Sequence, residues 1–127
     1  MRALVIDDSR AMRRIVTGIL EGLGYETRQA EHGRDGLDVL EEGWLPELVC
    51  VDWNMPVMDG LRFVSAVRAN PAWRSVTIMM VTSESEQGQI VRALAAGAHE
   101  YLIKPFTADA IRDKLALLGL LPQEVAL

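Results

Sequence analysis

The chain holds a single cysteine, Cys50, set inside an apolar run. No intrachain disulfide can form, which fits a reducing compartment such as the cytoplasm. Positive charge is also short. Thirteen Lys and Arg stand against 18 Asp and Glu, a formal net charge of −5. That balance disfavours nucleic-acid binding by phosphate neutralisation, and the only tight basic group is Arg10, Arg13 and Arg14. No apolar run approaches the roughly 20 residues a membrane-spanning helix needs. Residues 1–3 pass directly into a strand-like run, so no signal peptide is expected. There is no internal repeat and no low-complexity stretch. His32 and His99 lack metal-ligand spacing and read as structural. What remains is 127 residues, half of them hydrophobic and 24% charged, enough for one compact domain over residues 1–127 and no more.

Apolar periodicity divides the chain into alternating elements. Residues 3–7 read as a strand that ends in Asp7-Asp8. Ser9 caps a helix carrying Met12, Ile15, Val16, Ile19, Leu20 and Leu23, and Gly24 stops it. Residues 26–31 form a more polar strand, expected at a sheet edge. Residues 33–42 form a helix with Leu37 and Leu40 inward. Residues 48–52 form an apolar strand ending on Asp52. Residues 59–69 form a helix with Leu61, Val64 and Val67 inward. A strand over 77–82 includes Met79 and Met80 as core. A helix over 87–96, with Ile90, Val91 and Leu94, is closed by Gly97. A short strand covers 101–103, and Thr107 caps a last helix with Ile111, Leu115 and Leu118. The tail from Gly119 carries Pro122 and is expected to fray. Five strands alternating with five helices over short connections imply a parallel sheet with helices on both faces.

Such sheets bind ligands at the carboxyl ends of their strands, near the switch point. At those ends stand Asp7-Asp8, Asp52, Thr82-Ser83 and Lys104. Each has an ordinary reading as a cap, turn or surface residue. Their joint placement at one edge argues for a site. Three crowded carboxylates repel and need a cation, and an oxygen-only donor set suits Mg²⁺. A lysine and a hydroxyl opposite the metal can hold the remaining oxygens of a phosphoryl group. A carboxylate between them can attack phosphorus and become an acyl phosphate. Pro105 favours an extended Lys104. Trp53 reads as either core or an exposed ring beside the site.

The motifs D-D at 7–8, D-W-N-M-P-x-M-D-G at 52–60, M-V-T at 80–82 and K-P-F-T at 104–107 resemble the receiver domain of two-component response regulators. The resemblance covers essentially the whole chain, and M-R-R-I-V at 12–16 is most similar to the chemotaxis type. It implies a flavodoxin-like α/β fold, a five-stranded parallel sheet of order 2-1-3-4-5. Asp52 matches the phosphoacceptor. Asp8 matches a direct Mg²⁺ ligand, Asp7 a second acid acting through metal-bound water, and the backbone carbonyl of Asn54 a third protein ligand. Thr82 and Lys104 match the phosphoryl-binding residues, and Tyr101 the aromatic whose rotamer follows Thr82. Asn54 and Glu84 match the pair that governs the hydrolytic water. The implied partners are a histidine kinase and a downstream protein on the 87–118 face, which includes Tyr101 and Lys114. That target is a flagellar motor switch or another relay protein. Ser83 and the acidic start of the following helix, Glu84 to Gln87, depart from the chemotaxis pattern.

The expected role is thus a signalling switch that accepts and then loses its own phosphoryl group, without being an enzyme in the usual sense. A metal-dependent phosphatase would want an acid two residues after Asp52, where Asn54 stands. A nucleotide or flavin binder would want a glycine-rich first turn, and D-D-S-R-A-M has none.

Overall fold

The computed structural model describes residues 1–83 and 88–122. Five strands alternate with five helices: β1 (Arg2–Ile6), α1 (Arg10–Gly22), β2 (Glu26–Ala30), α2 (Gly33–Glu41), β3 (Leu48–Asp52), α3 (Gly60–Ala69), β4 (Thr77–Ser83), α4 (Ile90–Ala96), β5 (Glu100–Lys104) and α5 (Ala108–Leu117). A 3-10 turn, Pro71–Trp73, precedes β4 and was not foreseen in the sequence. All pairings are parallel, in the order β2-β1-β3-β4-β5. β1 has β2 on one side and β3 on the other, so the direction of winding reverses beside it. A crevice therefore opens above the carboxyl ends of β1 and β3.

The inner strands are apolar on consecutive residues because both faces of the sheet are covered. Leu4, Ile6, Val49, Val51, Ile78 and Met80 join Leu37 and Leu40 of α2 and Phe63, Val64 and Val67 of α3. Their neighbours Ala3, Val5, Leu48, Cys50, Met79 and Val81 face the other way, onto Val16 and Leu20 of α1 and Ile111 and Leu115 of α5. The edge strand β2 buries only Ala30 fully. Burial pushes the Cys50 thiol up to about 12. It should therefore resist thiol reagents in the native protein and react only on unfolding, and fast labelling at neutral pH would contradict its burial.

Several helix faces differ from the sequence expectation. The buried arc of α1 is Arg13, Val16, Thr17 and Leu20. Ile15 lies outside that i, i+3, i+4, i+7 stripe and is 54% exposed. On α3 the stripe is Gly60, Phe63, Val64 and Val67, leaving Leu61 only half-buried. On α4 only Ala93 is buried, while Val91 and Leu94 face outward. The small Ala93 and Ala96 join the first core cluster, and the larger apolar residues turn away. The proposed start of that helix at Gln87 lies outside the described residues. Leu120 and Leu121 pack on the second core, and the Tyr25 hydroxyl donates to the Leu120 carbonyl. The docked part of the tail therefore runs past Gly119, and 123–127 lie outside the described residues.

Val57, in the loop after β3, has φ 66° and is largely exposed. A β-branched residue in the left-handed region is strained by about 1–2 kcal/mol. Val57→Asn should raise unfolding stability by about 1 kcal/mol in urea titrations. An unchanged midpoint would mean that the loop relieves the strain elsewhere.

Candidate functional site

β1 ends at Ile6, and the chain leaves the sheet through Asp7 and Asp8. Asp7 is buried and its Oδ1 accepts from the Ser9 N–H at 2.8 Å. Ser9 in turn caps α1, its side chain accepting from Met12 N–H. Asp8 is exposed. β3 delivers Asp52, also buried, to the same edge. One carboxylate oxygen from each of Asp7, Asp8 and Asp52 falls within 4.8 Å of the others. The set is all oxygen, anionic and partly open to solvent, and so fits a hard divalent cation.

Lys104, at the end of β5, reaches the same corner. Its Nζ lies 3.3 Å from Asp52 Oδ1 and 3.4 Å from Asp7 Oδ2. Burial and the Asp7 charge push Asp52 up to about 6, against the opposing pull of Lys104. Burial alone would lower the Lys104 pKa. The Asp52 and Asp7 carboxylates outweigh it and hold the ammonium above the usual lysine range. Poor solvation thus raises the acid and opposes the rise of the lysine, while the excess of negative charge raises both.

The loop from β3 to α3 folds back tightly over this corner. Gly60 N–H donates to the Trp53 carbonyl at 2.9 Å. A Cβ at Gly60 would come within 2.5 Å of the Asp52 carbonyl oxygen, so only glycine permits the approach. Trp53 is half-buried against the core rather than free in solvent. Asn54 is exposed in the same loop. Thr82, two residues beyond the β4 partner of Val51, is buried, and its hydroxyl donates to the Ser83 carbonyl at a long 3.4 Å. The Lys104–Pro105 peptide is cis. Glu84 lies outside the described residues.

Tyr101 sits on β5 away from the acids, half-buried against the first core cluster. The Lys114 ammonium is 4.3 Å from its ring centroid and 2.9 Å from Glu100 Oε1. That same Glu100 oxygen accepts from the Tyr101 N–H at 3.0 Å. His32 accepts from Asp35 N–H as the cap of α2, and His99 Nδ1 accepts from Ile78 N–H at 3.1 Å. Both histidines serve the backbone.

The structure thus brings Asp7, Asp8, Asp52 and Lys104 into one cluster. It places Thr82 and Asn54 on neighbouring strand and loop and sets Tyr101 apart. Sequence reading passed over Arg13, which lies on the buried arc of α1 and donates from Nη1 to the Asp7 carbonyl at 2.6 Å. A charged residue on an otherwise apolar stripe was the signal available.

The class defined here is a doubly wound α/β domain with acids and a lysine gathered at its switch point. Residues 3–116 match the response regulator receiver domain, and the chain belongs to that family. Among its relatives, chemotaxis protein CheY1 of Helicobacter pylori is 40% identical over 116 residues, covering 91% of this chain and 94% of the relative. The chemotaxis protein CheY homolog of Campylobacter jejuni is also 40% identical, over 91% of this chain and 89% of its own length. The solved structure of Vibrio cholerae chemotaxis protein CheY4 superposes with a TM-score of 0.83 at 33% identity, covering 91% and 96% of the two chains. The chain is a CheY-like response regulator, a signalling switch by class. Among the described residues no helix is long and apolar enough to cross a membrane.

Proposed function

We propose that the chain is a chemotaxis-type receiver, one domain over residues 1–127, that takes a phosphoryl group onto Asp52 and thereby changes its partner face. The observation that carries this reading is Asp52 itself, buried with Lys104 at 3.3 Å and two further acids beside it. Asp8, Asp52 and the Asn54 carbonyl would hold Mg²⁺, with Asp7 acting through its water. When bound, the metal neutralises charge on the transferring phosphoryl oxygens. An oxygen of Asp52 forms the new bond to phosphorus. The bond from phosphorus to the donor, a histidine nitrogen of a kinase or the oxygen of a small phosphodonor, breaks, and the donor keeps the electron pair. Lys104 pairs with one phosphoryl oxygen and the Thr82 hydroxyl turns to donate to another. The space Thr82 vacates admits Tyr101, which alters the surface formed by α4, β5 and α5. The target docks there, in the cytoplasm. The relatives are named chemotaxis proteins, and a flagellar motor switch is the target that this reading implies.

Acetyl phosphate with Mg²⁺ should add one phosphoryl group, labile to hydroxylamine as acyl phosphates are. A label stable to hydroxylamine would move the acceptor away from a carboxylate. Beryllofluoride, a phosphoryl mimic, should increase retention of the target in a pull-down, and equal retention with and without it would remove the switch.

Loss of the group requires water in line with the Asp52–phosphorus bond. Asn54 is polar and exposed, and Glu84 is polar by residue type, which supports a short-lived phosphoprotein. Asn54→Arg should slow decay about tenfold, equivalent to roughly 1.4 kcal/mol of barrier. Decay of label after donor removal measures it, and an unchanged rate excludes Asn54 from the water path. A relay role is the second reading. It is favoured by the ion pair with Glu100, which occupies Lys114, the lysine that the resemblance places on the partner face. Passage of the label to a phosphotransfer histidine would establish it.

A further inference from the structure

Arg13 is a buried charge whose reason lies in the acid site. It is 8% exposed, and among the described residues its side chain donates to two neutral oxygens, the Asp7 carbonyl at 2.6 Å and Gln29 Oε1 at 3.2 Å. A guanidinium withdrawn from water without a carboxylate partner is costly. The local backbone explains why it is kept there.

Consecutive side chains of an extended strand point to opposite faces. Asp7 and Asp8 nevertheless bring carboxylate oxygens to one spot, together with Asp52. The backbone must therefore turn between them. The Asp7 N–H still bonds to the Ala30 carbonyl beside β2, at 3.1 Å, so the turn begins at the Asp7–Asp8 peptide. Two bonds hold it. Ser9 N–H fixes the Asp7 carboxylate, and Arg13 grips the carbonyl of the Asp7–Asp8 peptide itself. Because Gln29 holds another nitrogen of the same rigid fork, the plane of that peptide is tied to both α1 and β2.

We infer that Arg13 is a positioning residue for the cation and phosphoryl site, orienting the Asp7–Asp8 peptide so that both carboxylates meet Asp52. The inference rests on the reading of those three acids as a divalent-cation site. Charge and geometry act in opposite directions here. A positive group behind the cluster repels Mg²⁺, so losing charge alone would tighten binding, whereas losing the grip on the peptide weakens it.

The experiment titrates Mg²⁺ into the full chain, following Trp53 fluorescence and the rate of labelling by acetyl phosphate. Arg13→Met should raise the half-saturating Mg²⁺ concentration about tenfold, the usual scale for a group that orients a metal ligand. Arg13→Lys keeps the charge but not the fork, and should shift it the same way. At saturating Mg²⁺ both variants should label within about twofold of wild type. A merely structural role would reduce the folded fraction and the maximal signal without moving half-saturation. Unchanged or tighter Mg²⁺ binding in both variants overturns the inference. If Arg13→Met does not fold, Arg13→Lys decides alone. A wild type that shows no Mg²⁺ response overturns the site reading together with this inference, and the two failures are distinguished by that control.

Discussion

Asp52→Asn will accept no phosphoryl group from acetyl phosphate, and in metal-free buffer it will be more stable than the wild type. The first effect follows from the loss of the buried carboxylate that lies against Lys104 and shares the acid cluster. The second follows from crowding. Asp52 is buried beside Asp7, and its pKa stands at about 6 against an ordinary 3.8. A folded-state pKa above the unfolded value means that ionisation costs stability at neutral pH. The cost fades as pH falls through 6 and is gone below the ordinary value. A shift of about two units caps it at roughly 3 kcal/mol. That shift already includes the attraction of Lys104, so the gain in urea unfolding should be about 1–3 kcal/mol. Mg²⁺ should stabilise the wild type more than the variant and narrow the gap. A variant no more stable than wild type without metal would show that Lys104 fully compensates the acids. Labelling of the variant at wild-type level would place the acceptor elsewhere.

Phe63→Ala should be the most destabilising single truncation, at about 3–5 kcal/mol. Phe63 is the largest of the fully buried side chains and is fixed among the strands, α2 and α3. Gly36 of α2 lies against it; a Cβ there would come within 3.0 Å of the ring and 2.4 Å of Ile6. The close approach of α2 leaves the neighbours little freedom to collapse into the hole. Marginal domain stability of 5–15 kcal/mol makes such a loss severe. Phe63→Leu should cost less than half as much. A cost for Phe63→Ala below about 1.5 kcal/mol would mean that α2 closes over the cavity.

The strands were legible because both sides of the sheet are buried, so apolar residues run without interruption and each ends on a chemically conspicuous group. Asp7-Asp8, Asp52, Thr82 and Lys104 mark four strand ends, and parallel pairing brings strand ends together. Boundaries shifted by a residue or two: β1 stops at Ile6, before the aspartates, and β5 extends from Glu100 to Lys104. Helix faces were less legible, since periodicity reports a stripe but not what covers it. Val91 and Leu94 have helical spacing and still face outward, because α4 meets the core through the small Ala93 and Ala96. Phe63 was overlooked beside Leu61 for the same reason, as either residue completes an apolar stripe. Arg13 could not be assigned a partner from sequence, because what it bonds to is a backbone carbonyl and not a side chain.

The pairing of Lys114 with Glu100, over the ring of Tyr101, bears on how fast a partner finds this protein. Attraction at a distance depends on charge that is not already cancelled nearby, and beyond about 8–10 Å in physiological salt little of an internal pair is felt. Lys114 therefore adds almost nothing to the capture of an acidic partner from solution. Encounters guided by that lysine alone would proceed at the unsteered rate, about 10⁵–10⁶ M⁻¹s⁻¹, and would scarcely change with ionic strength. Any preference for the phosphorylated form then has to be expressed after contact, in how long the complex lasts, so that the dissociation rate carries the signal.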